Sequence, residues 1–213
     1  MIKLTTERYA EQIKRWPQSG RYILAQYDDN SIVVYQAYRP AIGRYAATHQ
    51  QFGGEFSYTR MSWVKPNFLW MMYRSGWGTK AGQEITLAVR IQRTFFDRIL
   101  ELAVVSNYRA SHQYQSEAEW KTALKQSRGR LQWDPDHSPT GAKMERKALQ
   151  LGLRGSVLKQ YGSDAIIEIE DISDFVAQQK AHANGDFSNL ITPRESVYVP
   201  KNVSASENIC LET

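Results

Sequence analysis

The sequence predicts an α+β fold, a split mixed or antiparallel sheet with flanking helices, in one domain spanning residues 1–213 with a polar C-terminal tail from about 201. Three observations predict it. Strand-like and helix-like runs intersperse along the 213 residues, but an early pair of β-branched and aromatic runs is joined too directly for a strict βαβ series. No repeat, low-complexity tract or interdomain linker divides the chain. Hydrophobic residues at 42% and charged residues at 23% lie near globular averages of roughly 45–50% and 25%, which excludes a disordered or fibrous chain.

Each element has a local reason. Thr5 or Thr6 caps a first helix through about Arg15, which Trp16-Pro17 ends, because proline disfavours helical geometry in the residue before it. Arg21–Tyr27 and Ile32–Tyr38 read as a hairpin closed by Asp28-Asp29-Asn30-Ser31. Pro40 opens a helix through His49 that Gly53-Gly54 closes, and Pro66 opens another through Arg74 that Gly76 and Gly78 end. Being apolar nearly all round, the second is a buried helix. Glu84–Arg93 alternates with period 2 and puts Ile85, Leu87, Val89 and Ile91 on one face. A helix carrying Phe95, Phe96, Ile99 and Leu100 follows, then a capping box from Ser116 to Glu119. Next come an extended Arg130–Trp133, a polar loop through Asp134-Pro135-Asp136-His137, and an apolar Leu149–Leu153. Helical Val157–Tyr161, a strand Ala165–Ile169, a helix from Ile172 to about Ala183 and a closing strand Ser196–Val199 complete the order.

Composition bounds the function loosely. Lys plus Arg number 27 against 22 for Asp plus Glu, a net +5 that leans toward an anionic partner. The 12 Tyr, 6 Trp and 7 Phe serve either a core or platforms on which bases stack. With Cys210 alone no intramolecular disulfide forms, no apolar run reaches the about 18 residues of a membrane span, and no signal-peptide h-region opens the chain. A cytoplasmic protein without a membrane partner is expected. His49, His112, His137 and His182 share no i+3 or i+4 pairing, so no metal is expected, and phosphate-loop, dinucleotide-fingerprint and nucleophile-elbow spacings are absent.

Four segments carry more polar and aromatic identity than packing requires: Val34–Arg39, Arg60–Pro66, Trp70–Trp77 and Leu190–Tyr198. Together with Gln132-Trp133-Asp134-Pro135 they resemble, over nearly the whole chain, the domain of unknown function family 4291. The order of these segments is also similar to that of the ADP-ribosyltransferases. That resemblance implies NAD as substrate, bound in a cleft of a split sheet by an early-strand His or Arg, a middle-strand Ser or Tyr and a late-strand Glu. Here Gln36, Ser62 and Glu195 stand at those places as the implied catalytic set. Gln36 replaces the usual His or Arg, and Pro193 stands where an acceptor-selecting Gln or Glu is usual.

Physical chemistry is compatible with these roles. Cleaving a nicotinamide–ribose bond develops positive charge that a carboxylate such as Glu195 stabilises. Arg21, Arg39, Arg60, Lys65 and Arg74 are candidates for the pyrophosphate, and Tyr38, Trp63, Trp70 or Tyr73 for ring stacking. Blander readings stand beside them: Trp70, Met71, Met72 and Tyr73 as core, Trp63 as a structural cation–π partner of Arg60 or Lys65, Glu195 in a surface salt bridge with Arg194, and Arg39 solvating a strand end. The leading expectation is an ADP-ribosyltransferase-like enzyme that uses NAD to modify a nucleic-acid or protein acceptor. The alternative is a non-catalytic RNA- or DNA-binding domain using the same basic and aromatic residues. A metal-independent nuclease or phosphotransferase is a third.

Overall fold

The computed structural model describes residues 4–111 and 113–211; His112 and the last two residues of the expected tail lie outside the described residues. The elements are β1 (Thr6–Arg8), α1 (Tyr9–Gln12), β2 (Ile23–Ala25), β3 (Ser31–Tyr38), α2 (Pro40–His49), β4 (Ser62–Val64), α3 (Phe68–Ser75), β5 (Ile85–Gln92), α4 (Arg93–Leu102) and β6 (Ala103–Val105), followed by α5 (Glu117–Gln126), β7 (Gly129–His137), β8 (Lys143–Leu153), α6 (Gly155–Gly162), β9 (Ile166–Asp171), α7 (Ser173–Lys180), β10 (Ile191–Pro193), β11 (Ser196–Tyr198) and α8 (Val203–Asn208). The fold is mixed α+β with several sheets and flanking helices, as the sequence predicts at that level.

Two larger sheets carry the architecture. One is antiparallel with order β3-β5-β9, and the other has order β4-β8-β7-β6, in which only β6 and β7 run parallel. They meet at one point, where the Tyr35 N–H donates to the Lys65 carbonyl at 2.7 Å and the Lys65 N–H to the Tyr35 carbonyl at 3.3 Å. Two short antiparallel pairs, β1 with β10 and β2 with β11, tie the start of the chain to its end.

Strand β3 is buried on both faces, which explains its near-continuous apolar run. Ile32 and Val34 enter one core with Leu87, Val89, Ile91 and the inner faces of α2 and α4. Val33 and Tyr35 enter a second core with Ala88, Phe68, Met71, Met72 and Val176, beneath α3 and α7. The period-2 reading of β5 is therefore right for its first face, but the opposite face is covered too. Arg90 is buried there and donates to Ser31 Oγ at 3.0 Å.

Helix α2 lies against β5 so closely that a methyl group on Gly43 would collide with Ile85 Cγ2 and meet its Cβ at 2.5 Å. Helix and strand would have to separate. Gly43→Ala is expected to cost about 1–3 kcal/mol despite alanine's better helix propensity, read as a lowered denaturation midpoint in urea; a midpoint raised above wild type would count against this packing.

Several local expectations need correction. The opening segment is not one long helix: Thr6–Arg8 is extended against Ile191–Pro193, and only Tyr9–Gln12 is α-helical. The early hairpin shrinks to a Tyr27–Ile32 bridge and a Val33 N–H to Gln26 carbonyl bond. Asp28 does turn the chain, accepting from the N–H groups of Asn30 and Ser31, but β3 finds an eight-residue ladder on β5 and β2 pairs with β11. The Asp134–His137 stretch is the end of β7 rather than a loop. The polar tail contains α8, whose flank buries Ala205 and Ile209 in the main core, while Asn208 donates to carbonyls at the end of α4. Ser116 caps α5 as expected, its Oγ accepting from the Glu119 N–H at 3.2 Å, with Glu119 accepting in return from the Gln115 N–H at 2.9 Å.

Candidate functional site

The ends of β3 and β4 and the outer side of α3 enclose an open cleft of about 380 Å³. Alternation along β3 sends Gln36 and Tyr38 to the same side as Val34, and Arg39 then starts α2 in extended geometry before Pro40. Ser62 and Trp63 come from β4, paired with Leu153 and Gly152 of β8. Gly152 makes room for this edge: a Cβ there would lie 2.7 Å from Met61 Sδ and 3.0 Å from the Trp63 ring. Asn67 caps α3 by accepting from the Trp70 N–H at 2.7 Å, and the helix delivers Met71 and Arg74 to the cleft wall.

A neutral hydrogen-bond network forms one side. Tyr161 Oη donates to Gln36 Oε1 at 2.7 Å, and Gln36 Nε2 donates to Ser62 Oγ at 2.9 Å and to the Trp63 carbonyl at 3.0 Å. Tyr38 Oη shares a 2.8 Å hydrogen bond with Ser62 Oγ. Burial raises the pKa of both tyrosines, so they remain protonated at neutral pH. Gln36 is fixed at both ends of its amide, and a histidine or arginine would break that pairing.

The other side is cationic. Arg60, Lys65 and Arg74 line it, and among the described residues none of the three has a carboxylate in ion-pair contact. The Lys65 ammonium lies 5.4 Å from the Trp70 ring centroid and the Arg74 guanidinium 5.7 Å from it. Trp70 is therefore both core and cation–π platform, with Tyr73 more exposed and stacked on His137. Burial, reinforced by Arg74, pulls the Lys65 amine down to about 8, with Asp134 opposing.

Tyr38, Arg60, Met61 and Ser62 are shared with an adjoining basin of about 430 Å³, into which Arg39 and Glu55 also project. Those last two form a 2.5 Å ion pair, so Arg39 does more than solvate a strand end. Thus Gln36, Tyr38, Arg60, Ser62, Trp63, Lys65 and Arg74 share one cleft, with Arg39 next door. Gln83, Glu55 and Tyr161 complete it without having been singled out in the sequence, and Met71, read there as core, is core and also lines the cleft wall. Only Gly152, a glycine within a strand, carried a local hint of close approach.

Glu195 and Arg21 do not join them. Glu195 is buried between β10 and β11 on the Tyr35 side of β3, neither in the cleft nor in a surface salt bridge. Its Oε1 accepts from the Phe68 N–H at 2.7 Å and its Oε2 from Asn67 Nδ2 at 3.2 Å, so it closes the N-terminus of α3. Its backbone N–H donates to Gln12 Oε1, and its carbonyl accepts from Trp16 Nε1. Arg194 turns the other way, toward Glu7 at 3.7 Å. Arg21 lines a separate cavity.

Burial pushes the Glu195 carboxyl well above the usual carboxylate range, the Phe68 N–H opposing. The folded state thus holds this proton to higher pH than the unfolded chain does, and that contribution to stability fades as pH rises through the window between the two values. Glu195→Ala would strand two buried donors at about 1–3 kcal/mol each. The expected result is a denaturation midpoint several degrees lower, with cleft ligands still bound by the folded fraction. An unchanged midpoint would contradict the capping role.

Among the described residues no group of three or more His, Cys, Asp or Glu gathers as a metal site requires, and no helix is long and apolar enough to cross a membrane. Fold and site together define a mixed α+β protein with a cationic, aromatic-edged cleft where two sheets meet. A family model described as Domain of unknown function (DUF4291) matches residues 22–198, and the chain belongs to that family. No curated protein matches it.

Proposed function

We propose that the protein binds NAD in this cleft and transfers its ADP-ribosyl group to a nucleic-acid or protein acceptor. The observation that carries the reading is the convergence of Arg60, Lys65 and Arg74, without a carboxylate in ion-pair contact among the described residues, beside a fixed neutral network. Such a set suits a pyrophosphate, which needs charge-assisted donors. Trp63 and Tyr38 offer ring faces to nicotinamide or adenine, and Ser62 offers a hydroxyl to ribose or carboxamide. The two adjoining basins together fall in the usual size range of small-molecule sites, about 300–1,000 Å³.

In transfer, the bond from the ribose anomeric carbon to nicotinamide breaks with its electron pair leaving on nicotinamide. The acceptor's lone pair then forms the new bond, and the acceptor loses a proton. Positive charge develops on the ribose, and in this reading the carboxylate available to it is Glu55 in the adjoining basin rather than the buried Glu195.

Calorimetric titration with NAD, beside a short single-stranded RNA at two salt concentrations, tests this. Saturable NAD binding is expected, lost in the Arg60→Gln, Lys65→Met double variant. Glu55→Gln is expected to keep binding and lose nicotinamide release in the presence of an acceptor. Absence of NAD binding, with RNA affinity that falls steeply with salt, would replace the enzyme by a nucleic-acid-binding module.

A further inference from the structure

A second cavity, of about 290 Å³, shares no lining residue with either basin of the cleft. Its basic wall follows from backbone pairing. Arg21 forms a parallel bridge with Lys147, secured by the Lys147 N–H donating to the Gly20 carbonyl at 2.7 Å, so the two residues stand side by side in the wall. Neither side chain makes an ion pair or hydrogen bond with any described residue, and no described carboxylate lines the cavity. Two adjacent half-buried cations without an anion repel one another, and a bound dianion relieves that repulsion.

The remaining wall is neutral and hydrogen-bonding. The Ser106 N–H donates to the Leu131 carbonyl at 2.8 Å, extending the β6–β7 pair by one residue, and Ser106 Oγ is left buried without a partner among the described residues. A buried hydroxyl in that condition is short of a hydrogen bond. Asn107 uses its side-chain oxygen on the Arg109 N–H, which leaves its amide N–H groups. Gln132 uses its amide nitrogen on Asp134, which leaves its oxygen. Donor, acceptor and hydroxyl beside a pair of cations match a polyhydroxylated skeleton carrying one phosphate.

We infer that this cavity binds a phosphorylated sugar, its phosphate between Arg21 and Lys147 and its hydroxyls on Ser106, Asn107 and Gln132. The site is independent of the cleft. Its ligand is either a free sugar phosphate or the phosphoribosyl part of a nucleotide.

Titration of the full chain with ribose 5-phosphate, AMP and inorganic phosphate tests the site. Ribose 5-phosphate, AMP or both are expected to bind saturably, and Arg21→Gln and Lys147→Gln are each expected to weaken binding about tenfold or more. Ser106→Ala is expected to weaken the sugar phosphate while leaving inorganic phosphate unchanged. Arg60→Gln, in the cleft, is expected to leave the affinity for ribose 5-phosphate unchanged. Binding of AMP that Arg21→Gln or Lys147→Gln weakens and the Arg60→Gln, Lys65→Met double variant leaves intact marks the nucleotide source, and binding of ribose 5-phosphate alone marks the free sugar. Binding of inorganic phosphate only, no binding at all, retention of ribose 5-phosphate affinity in Lys147→Gln, or loss of ribose 5-phosphate affinity in Arg60→Gln would each overturn the proposal. Failure here would leave NAD binding at the cleft unaffected, so the two sites are judged separately.

Discussion

Asp136→Ala is expected to destabilise the fold by about 3–5 kcal/mol, because it leaves a buried guanidinium without its counter-charge. Arg146 and Asp136 are 2% and 1% exposed. Arg146 Nε and Nη2 both donate to Asp136 Oδ2, at 2.9 and 2.5 Å, Nη1 donates to the Pro17 carbonyl, and the guanidinium lies over the Trp16 ring. Asp136 Oδ1 accepts from the His137 N–H at 2.7 Å. One mutation therefore strands several donors at once. For a chain of this size the loss corresponds to a fall in Tm of roughly 6–20 °C. The double variant Asp136→Leu, Arg146→Met should recover much of it, since an apolar pair removes both desolvation penalties. A single variant as stable as wild type, by calorimetry or urea titration, would show that the charge is compensated elsewhere.

The second large effect concerns Lys65, where binding and stability run in opposite directions. Its amine titrates at about 8 when folded, against 10.5 in an open chain. Between those values the unfolded state carries the proton and the folded state does not, so stability rises as pH rises through that window. Anion binding needs the ammonium, so NAD affinity is expected to fall as pH rises through about 8, approaching tenfold per pH unit above it. A phosphate beside Lys65 raises its pKa, and complex formation near pH 8 should take up a proton, seen as a binding heat that varies with the buffer's ionisation enthalpy. Lys65→Met should weaken NAD about ten- to hundredfold at pH 7, flatten the pH profile and raise Tm. A profile unchanged by the substitution would remove Lys65 from the binding set.

Much of the cleft was legible because its residues stand out against packing logic. Runs such as Val34–Arg39 and Arg60–Pro66 place polar and cationic groups beside β-branched and aromatic ones, and the fold gathers those exceptions at one sheet junction. Glu195 was misleading for a physical reason. A carboxylate next to Arg194 at a strand start looks solvated, but Gln12 and Trp16 cover it from far away in the chain and α3 presents its N-terminus to it. The Asp134–His137 segment was hidden by Pro135, which reads as a loop. β6 pairs only with Gly129–Leu131, leaving this part of β7 as an edge, where proline and the bulge before His137 are tolerated. The early hairpin failed because non-local partners offered longer ladders than the local turn did.

The pairing of the first strands with the last has a consequence for synthesis. Gln12 holds the backbone of Glu195 across 183 positions, and β1 and β2 have as their strand partners segments that leave the ribosome long after they do. Until then Ile23, Leu24 and Ala25, all buried in the finished molecule, form an unpaired apolar edge. Contacts of such long sequence separation slow folding. The nascent chain thus carries a sticky edge until β10 and β11 emerge, and closure of the fold waits for them.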